Sequence, residues 1–281
     1  MRSNSETARD AFVAVHQLRL HYREWGAADA PAVVLLHGLT GVADEWDPIA
    51  ADLAERFRVV AVDQRGHGSS DRARDYAPER MVGDLAEVVV ALGLEPVTIV
   101  GHSMGGIIAY LFAAARAASI RDLVVVDVGP DSITPAVAAG WTVSLRTAAD
   151  ASYADPEEAL LEWRSANPRA REEELRHFVE HNLARGHDGR WRWRFDAARL
   201  WSFLGQLPAA EDQWAALRRV RTRTLVIRGA DSEVLSAATA ARMASEIRHA
   251  DVVELPGGGH DLTVEQPAAM SAVLQAFISG A

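Results

Sequence analysis

Between the apolar run Val97-Thr98-Ile99-Val100 and an alanine-rich apolar stretch, the chain reads Gly101-His102-Ser103-Met104-Gly105-Gly106. A serine with glycines two residues away on each side, after a strand pattern and before a helix pattern, fits a tight strand-to-helix turn. Such a turn projects the serine hydroxyl, the nucleophile-elbow arrangement. Neighbours without side chains let it close. The pentapeptide alone also describes a plain glycine-rich turn, so the rest of the chain has to supply what a weak serine nucleophile needs. That is a base within hydrogen-bond reach and a third group to orient the base.

The base is read as His260, which ends Leu255-Pro256-Gly257-Gly258-Gly259-His260-Asp261. A glycine run after the last strand pattern can carry an imidazole over the end of a sheet. Two backbone N–H groups are expected to hold a developing oxyanion, that of Met104 after the serine and that of Leu39 after Leu36-His37-Gly38. Gly38 allows close approach of that backbone, and His37 reads as a brace of the loop. His177-Phe178-Val179-Glu180-His181 spells an inverted zinc-protease pattern. In an Arg/Glu-rich helix, however, such a pair reads as a solvated face, and no metal site is assigned.

Around this turn, short β-rich runs alternate with helical patterns, the rhythm of a mostly parallel sheet in an α/β fold. Residues 11–18 and 18–25 alternate as an antiparallel hairpin on a sheet edge. Continuous apolar strands follow at 32–36, 58–62, 97–100, 123–126, 224–227 and 252–255, with helices at about 44–56, 78–92, 105–117, 236–247 and 267–278. Residues 131–207 break the rhythm and read as a mainly helical cap (lid) inserted between the sixth and seventh strands. Residues 1–130 and 208–281 then form the core domain.

Composition removes other chemistries. The chain of 281 residues has no cysteine, which excludes disulfides, thiolate metal sites and a cysteine nucleophile. All 29 basic residues are arginine, so Schiff-base and Walker-type lysines are absent. A net charge of −10 repels nucleic acid and anionic membrane. The polar start, Met1 to Asp10, lacks a signal-peptide run, and the longest apolar run, about nine residues from Ile107, is too short to span a bilayer. A cytoplasmic location, a small-molecule substrate and no cofactor are expected, with monomer and homodimer both open.

His37-Gly38-Leu39, Asp63-Gln64-Arg65-Gly66-His67-Gly68-Ser69, the turn around Ser103 and Gly259-His260, in that order, resemble the α/β-hydrolase fold family over nearly the whole chain outside the cap. The resemblance implies an eight-stranded, mostly parallel sheet flanked by helices, a cap over the active site, and a catalytic triad in the order Ser, acid, His. The Arg65–Ser69 turn is assigned no chemistry. Asp at the nucleophile position marks the dehalogenase and epoxide hydrolase branch, and this chain has Ser103 there.

One departure concerns the acid. The common family pattern places it after strand seven as Gly-x-x-Asp, but Gly229-Ala230-Asp231-Ser232-Glu233 has serine in that register. Asp231 and Glu233 flank it. Asp127, at the end of strand six and 24 residues after Ser103, resembles the acid of a subset that includes zearalenone-type lactonases and an acetamidomethylene succinate amidohydrolase. The alternatives are Asp127, Asp231 and Glu233.

For the pocket, the candidates are His37, Gly38, Trp46, His102, Trp141, Trp191 and Trp193. In Arg190-Trp191-Arg192-Trp193-Arg194-Phe195 an extended chain would put the aromatics on one face and leave arginines free to meet an anionic group. These features lead to a cofactor-free serine hydrolase (an esterase, lactonase or amidase) acting through an acyl-enzyme. A carbon–carbon bond hydrolase or lyase on the same fold is the alternative, followed by a non-catalytic ligand-binding scaffold.

Overall fold

The computed structural model describes residues 8–280. The polar start read as lacking a leader therefore lies, over residues 1–7, outside the described residues. The strands are β1 (Arg9–Val15), β2 (Leu18–Trp25), β3 (Ala32–Leu36), β4 (Arg58–Val62), β5 (Val97–His102), β6 (Ile120–Val126), β7 (Leu183–Arg185), β8 (Trp191–Trp193), β9 (Arg223–Gly229) and β10 (Ala250–Leu255). Eight of them form one sheet in the order β1-β2-β4-β3-β5-β6-β9-β10. The β1–β2 and β2–β4 pairs are antiparallel and the rest parallel, with the β1–β2 hairpin on the edge as expected.

The helices are α1 (Asp47–Leu53), α2 (Pro78–Ala91), α3 (Met104–Ala115), α4 (Pro135–Asp150), α5 (Pro156–Ala166), α6 (Glu172–Asn182), α7 (Ala197–Gly205), α8 (Ala210–Leu217), α9 (Ala237–Glu246), α10 (Leu262–Glu265) and α11 (Pro267–Ile278). Four-residue α10 follows the histidine loop and has no counterpart in the sequence reading. The single helix expected over 44–56 is a 3₁₀ turn, Ala43–Trp46, followed by α1, which begins at Asp47 with Pro48 in its first turn.

Strands covered on both faces are apolar throughout, and alternate residues of β3 show why. Val34 and Leu36 join a core with α2, α3, α8 and α9, whereas Val33 and Leu35 join a second core with α1 and α11. The insertion between β6 and β9 carries α4–α7 and the β7–β8 hairpin, then α8, which packs on α3 beside the sheet. The short hairpin is an element that the reading of a mainly helical cap did not include. Its three-residue strands pair with each other and, through Trp191, with Tyr153 rather than with the main sheet. Among the described residues no helix is long and apolar enough to cross a membrane.

Candidate active site

β5 ends in the predicted turn. Ser103 has φ +51°, and its N–H donates to Val126 O at 3.0 Å across the sheet. Both flanking glycines are sterically required. A Cβ on Gly101 would stand 2.3 Å from Gly105 O, and one on Gly105 would stand 2.5 Å from Leu36 O. The serine oxygen lies 3.0 Å from His260 Nε2, and His260 Nδ1 lies 2.8 Å from Asp127 Oδ2.

Of the three candidate acids, only Asp127 reaches the histidine. It follows β6 at φ +52°, its N–H donates to Ile227 O, and Oδ1 accepts the Gly229 N–H at 3.0 Å. Asp231 is half-exposed beside Arg169, and Glu233 is exposed. Ser232, in the register where the family pattern has its acid, donates its hydroxyl to Asp127 Oδ2. The imidazole of His260 is enclosed, which disfavours its cation. Asp127, by hydrogen bond and charge, and the charges of Asp261 and Glu265 outweigh that, so its pKa is raised above 6.5.

The loop after β3 is held by its carbonyls. His37 Nδ1–H donates to Gly38 O at 2.7 Å while its Nε2 accepts from Gln64 N, a neutral tautomer consistent with burial pushing its pKa down to about 3. His67 Nε2 lies 2.8 Å from Leu39 O, and Asn182 Nδ2 donates to Thr40 O at 2.6 Å. In a trans peptide the N–H points opposite the preceding C=O, so holding Gly38 O turns the Leu39 N–H away from the His37 ring. Among the described residues no protein acceptor takes the N–H of Leu39 or Met104.

A cavity of about 390 Å³ opens over Ser103. Gly38, Leu39, His102, Trp141 and Trp193 line it as expected, and Trp141 stacks on His260 with ring centres 6.1 Å apart. Three expected residues do not line it. Trp46 is fully buried in the α1-side core, because the 3₁₀ turn aims it there and presents Glu45 to the cavity instead. His37 is spent on its loop. Trp191 sits toward the end of the β7–β8 hairpin, where its backbone pairs with Tyr153.

Glu45, Trp163, Asn167, Phe178, Phe195 and Thr263 line the cavity without having been singled out for it, although Phe195 belongs to the aromatic strip. Glu45 carried little sequence signal, since an acidic pair at a helix start reads as solvated. No arginine lines the cavity among the described residues, which corrects the expectation of an anion-binding strip. Arg190 bonds to Ser152, Arg192 to Asp188, and Arg194 to His181 O and Ser69. His177 and His181 of α6 face the 3₁₀ turn and the start of α1: His177 Nε2 is 2.9 Å from the Asp44 backbone carbonyl and 3.4 Å from Asp47 Oδ2, and His181 Nε2 is 4.0 Å from Asp44 Oδ1.

Residues 33–273 match the model of the alpha/beta hydrolase family. The chain is 30% identical over 278 residues to a 3-hydroxybutyrate-oligomer hydrolase of Cupriavidus necator, covering 94% of each chain. It is also 30% identical over 264 residues to the esterase Rv0045c of Mycobacterium tuberculosis, covering 90% of this chain and 84% of the esterase. Among solved structures, E-2-(acetamidomethylene)succinate hydrolase superposes with a TM-score of 0.88 at 25% identity, over 97% of this chain and 99% of that one. The topology, the turn at Ser103 and these likenesses agree, and the chain belongs to the alpha/beta hydrolase family as a hydrolytic enzyme.

Proposed function

We propose that this protein is a serine hydrolase of small, uncharged carboxylic esters and lactones, working through an acyl-enzyme whose reacting groups all come from this chain. The observation that carries the reading is the continuous hydrogen-bonded line Ser103 Oγ, His260 Nε2, His260 Nδ1, Asp127 Oδ2. His260 takes the serine proton as Oγ attacks the carbonyl carbon and returns it to the leaving alcohol. Asp127 holds the tautomer with Nδ1–H and stabilises the imidazolium that forms. The N–H groups of Leu39 and Met104 receive the oxyanion. Water, deprotonated by the same histidine, then releases the acid.

The cavity wall supports the choice of substrate. Trp141, Trp163, Phe178, Trp193 and Phe195 give it apolar faces, while its ionisable side chains are Glu45, Glu162, Asp261 and the histidines. A substrate carboxylate would enter without a cation to meet it, at a large desolvation cost. The dicarboxylate named for the superposed succinate hydrolase is therefore a poor fit here, and a neutral ester is a good one.

Intact mass after exposure to a fluorophosphonate tests the reading. A single adduct on the wild-type chain that disappears in Ser103→Ala is the expected result. A folded wild-type chain that takes no adduct, or an adduct that persists in Ser103→Ala, overturns it.

A further inference from the structure

The cavity holds a second polar group that the triad does not use. Glu45 and His102 are each about 5% exposed, and both line the cavity with Thr263. His102 Nε2 is 2.9 Å from His260 O, so it must carry the hydrogen and donate it. Burial and the nearby His260 push the His102 pKa down to about 4, so at neutral pH its Nδ1 is a bare lone pair. That atom is buried and, among the described residues, has no hydrogen-bond partner.

Facing it is Glu45 Oε1, 3.9 Å away, with the Thr263 hydroxyl 3.5 Å from the same oxygen. Burial, with the charge of Asp261 added, pushes the Glu45 carboxyl well above the usual carboxylate range, which favours its protonated, hydrogen-donating form. A donor and a lone pair 3.9 Å apart are too far for each other. One oxygen seated about 2.8 Å from both would accept from the first and donate to the second. Only a group with both an acceptor and a hydrogen satisfies the pair, and a hydroxyl does so without charge.

Access exists because Gly38 has no side chain. A Cβ there would stand 3.0 Å from His102 Nδ1 and 3.4 Å from Ser103 Cβ, so the gap lies beside the nucleophile.

We propose that Glu45, His102 Nδ1 and Thr263 form a subsite for a hydroxyl group of the substrate, held beside the reacting carbonyl. The subsite deepens the ester-hydrolase reading and rests on it, since it orients the molecule that Ser103 attacks. Its substrate class is a hydroxyl-bearing ester. The 3-hydroxybutyrate oligomers named for the Cupriavidus relative have this character only at their free hydroxyl end. A cavity lined by aromatic faces with one neutral hydrogen-bonding corner discriminates strongly, because a mismatched ligand leaves that corner unpaired.

The test needs no turnover. The Ser103→Ala chain is titrated calorimetrically with benzyl butyrate and with benzyl 3-hydroxybutyrate, and again with benzyl butyrate and 2-hydroxybenzyl butyrate. The first pair places the hydroxyl on the acyl side and the second on the alcohol side. The expected result is roughly tenfold tighter binding of the hydroxylated ester in one pair. That preference should vanish in Ser103→Ala/Glu45→Leu and persist at several-fold in Ser103→Ala/Glu45→Gln, whose amide still donates. Equal affinity within both pairs in Ser103→Ala, which requires no substitution at Glu45, overturns the subsite. So does a preference that survives Glu45→Leu. Fluorophosphonate labelling of the wild-type chain reads the serine-hydrolase assignment separately, so either can fail without the other.

Discussion

Ser232 donates its hydroxyl hydrogen to Asp127 Oδ2, the same oxygen that faces His260 Nδ1 at 2.8 Å. The serine occupies the register where the family pattern places its acid, and there it orients an acid supplied by the neighbouring strand end. The carboxylate is thus fixed by three donors, Gly229 N–H, Ser232 O–H and His260 N–H.

Asp127→Asn should lower kcat/KM on a neutral ester by about 10⁴-fold, because the amide cannot hold the tautomer with Nδ1–H or stabilise the imidazolium. Asp231→Asn and Glu233→Gln should stay within about twofold, as neither side chain approaches His260. Steady-state kinetics on the three variants decide it. A larger loss at Asp231 than at Asp127 would remove Asp127 from the triad.

The pH profile should follow His260, which must be neutral to accept the serine proton. Its pKa is raised, so the acid limb of kcat/KM should have its midpoint above 6.5, with activity rising as pH increases through it. Asp261 contributes to that rise through its negative charge. Asp261→Asn should therefore move the limb to lower pH. A limb that stays in place or moves upward would contradict the electrostatic assignment.

Helix α6 of the cap is pinned to the core by His177, which faces Asp44 and Asp47, and by Asn182, which holds Thr40 O. The His177 pKa is raised, chiefly by its hydrogen bond to Asp47. For a histidine raised on folding, the added stability is fully present below the unfolded value of 6.5 and is lost as pH rises through the folded value. His177→Ala should cost up to about 1 kcal/mol at pH 5.5 and much less at pH 8.5. In thermal melts this is a drop of roughly 2–3 °C at the lower pH only. Asn182→Ala releases the carbonyl next to the Leu39 peptide and should lower kcat by about tenfold with KM little changed. An unchanged kcat would mean that the loop holds without the cap.

What the sequence made legible followed local sterics. The strand-glycine-serine-glycine-helix run at 97–106 allows few backbone paths, and the alternating strand and helix patterns specified the sheet. The partner of His260 was less accessible to local reasoning, because Asp127, after β6, and His260, after β10, lie 133 residues apart and meet only through the order β6-β9-β10 in the sheet. Pocket membership was less legible still. Whether Trp46 or Glu45 faces the cavity depends on the rotation of a four-residue 3₁₀ turn, and a one-residue shift exchanges an indole for a carboxyl. Trp163 and Phe178 enter the wall only because α5 and α6 pack against each other, ring centres 4.3 Å apart, a pairing that neither helix announces by itself.

Two glycines separate the structural demands of the core from those of the cap. Gly105 lies where a Cβ would meet Leu36 O at 2.5 Å and His37 O at 2.7 Å, both backbone atoms with no freedom to withdraw. Gly105→Ala should destabilise by about 1–3 kcal/mol through overpacking. It should also reduce fluorophosphonate labelling, since pushing α3 away from β3 moves Met104 N–H away from the Leu39 loop. Gly140 is exposed in the middle of α4, and a Cβ there would meet nothing within 4 Å. Gly140→Ala removes only unfolded-chain freedom and should stabilise by about 0.5–1 kcal/mol with labelling unchanged. Chemical denaturation of the two variants reads both signs at once. A destabilised Gly140→Ala would mean that α4 is not the regular helix on which the roof over His260, built from Trp141, depends.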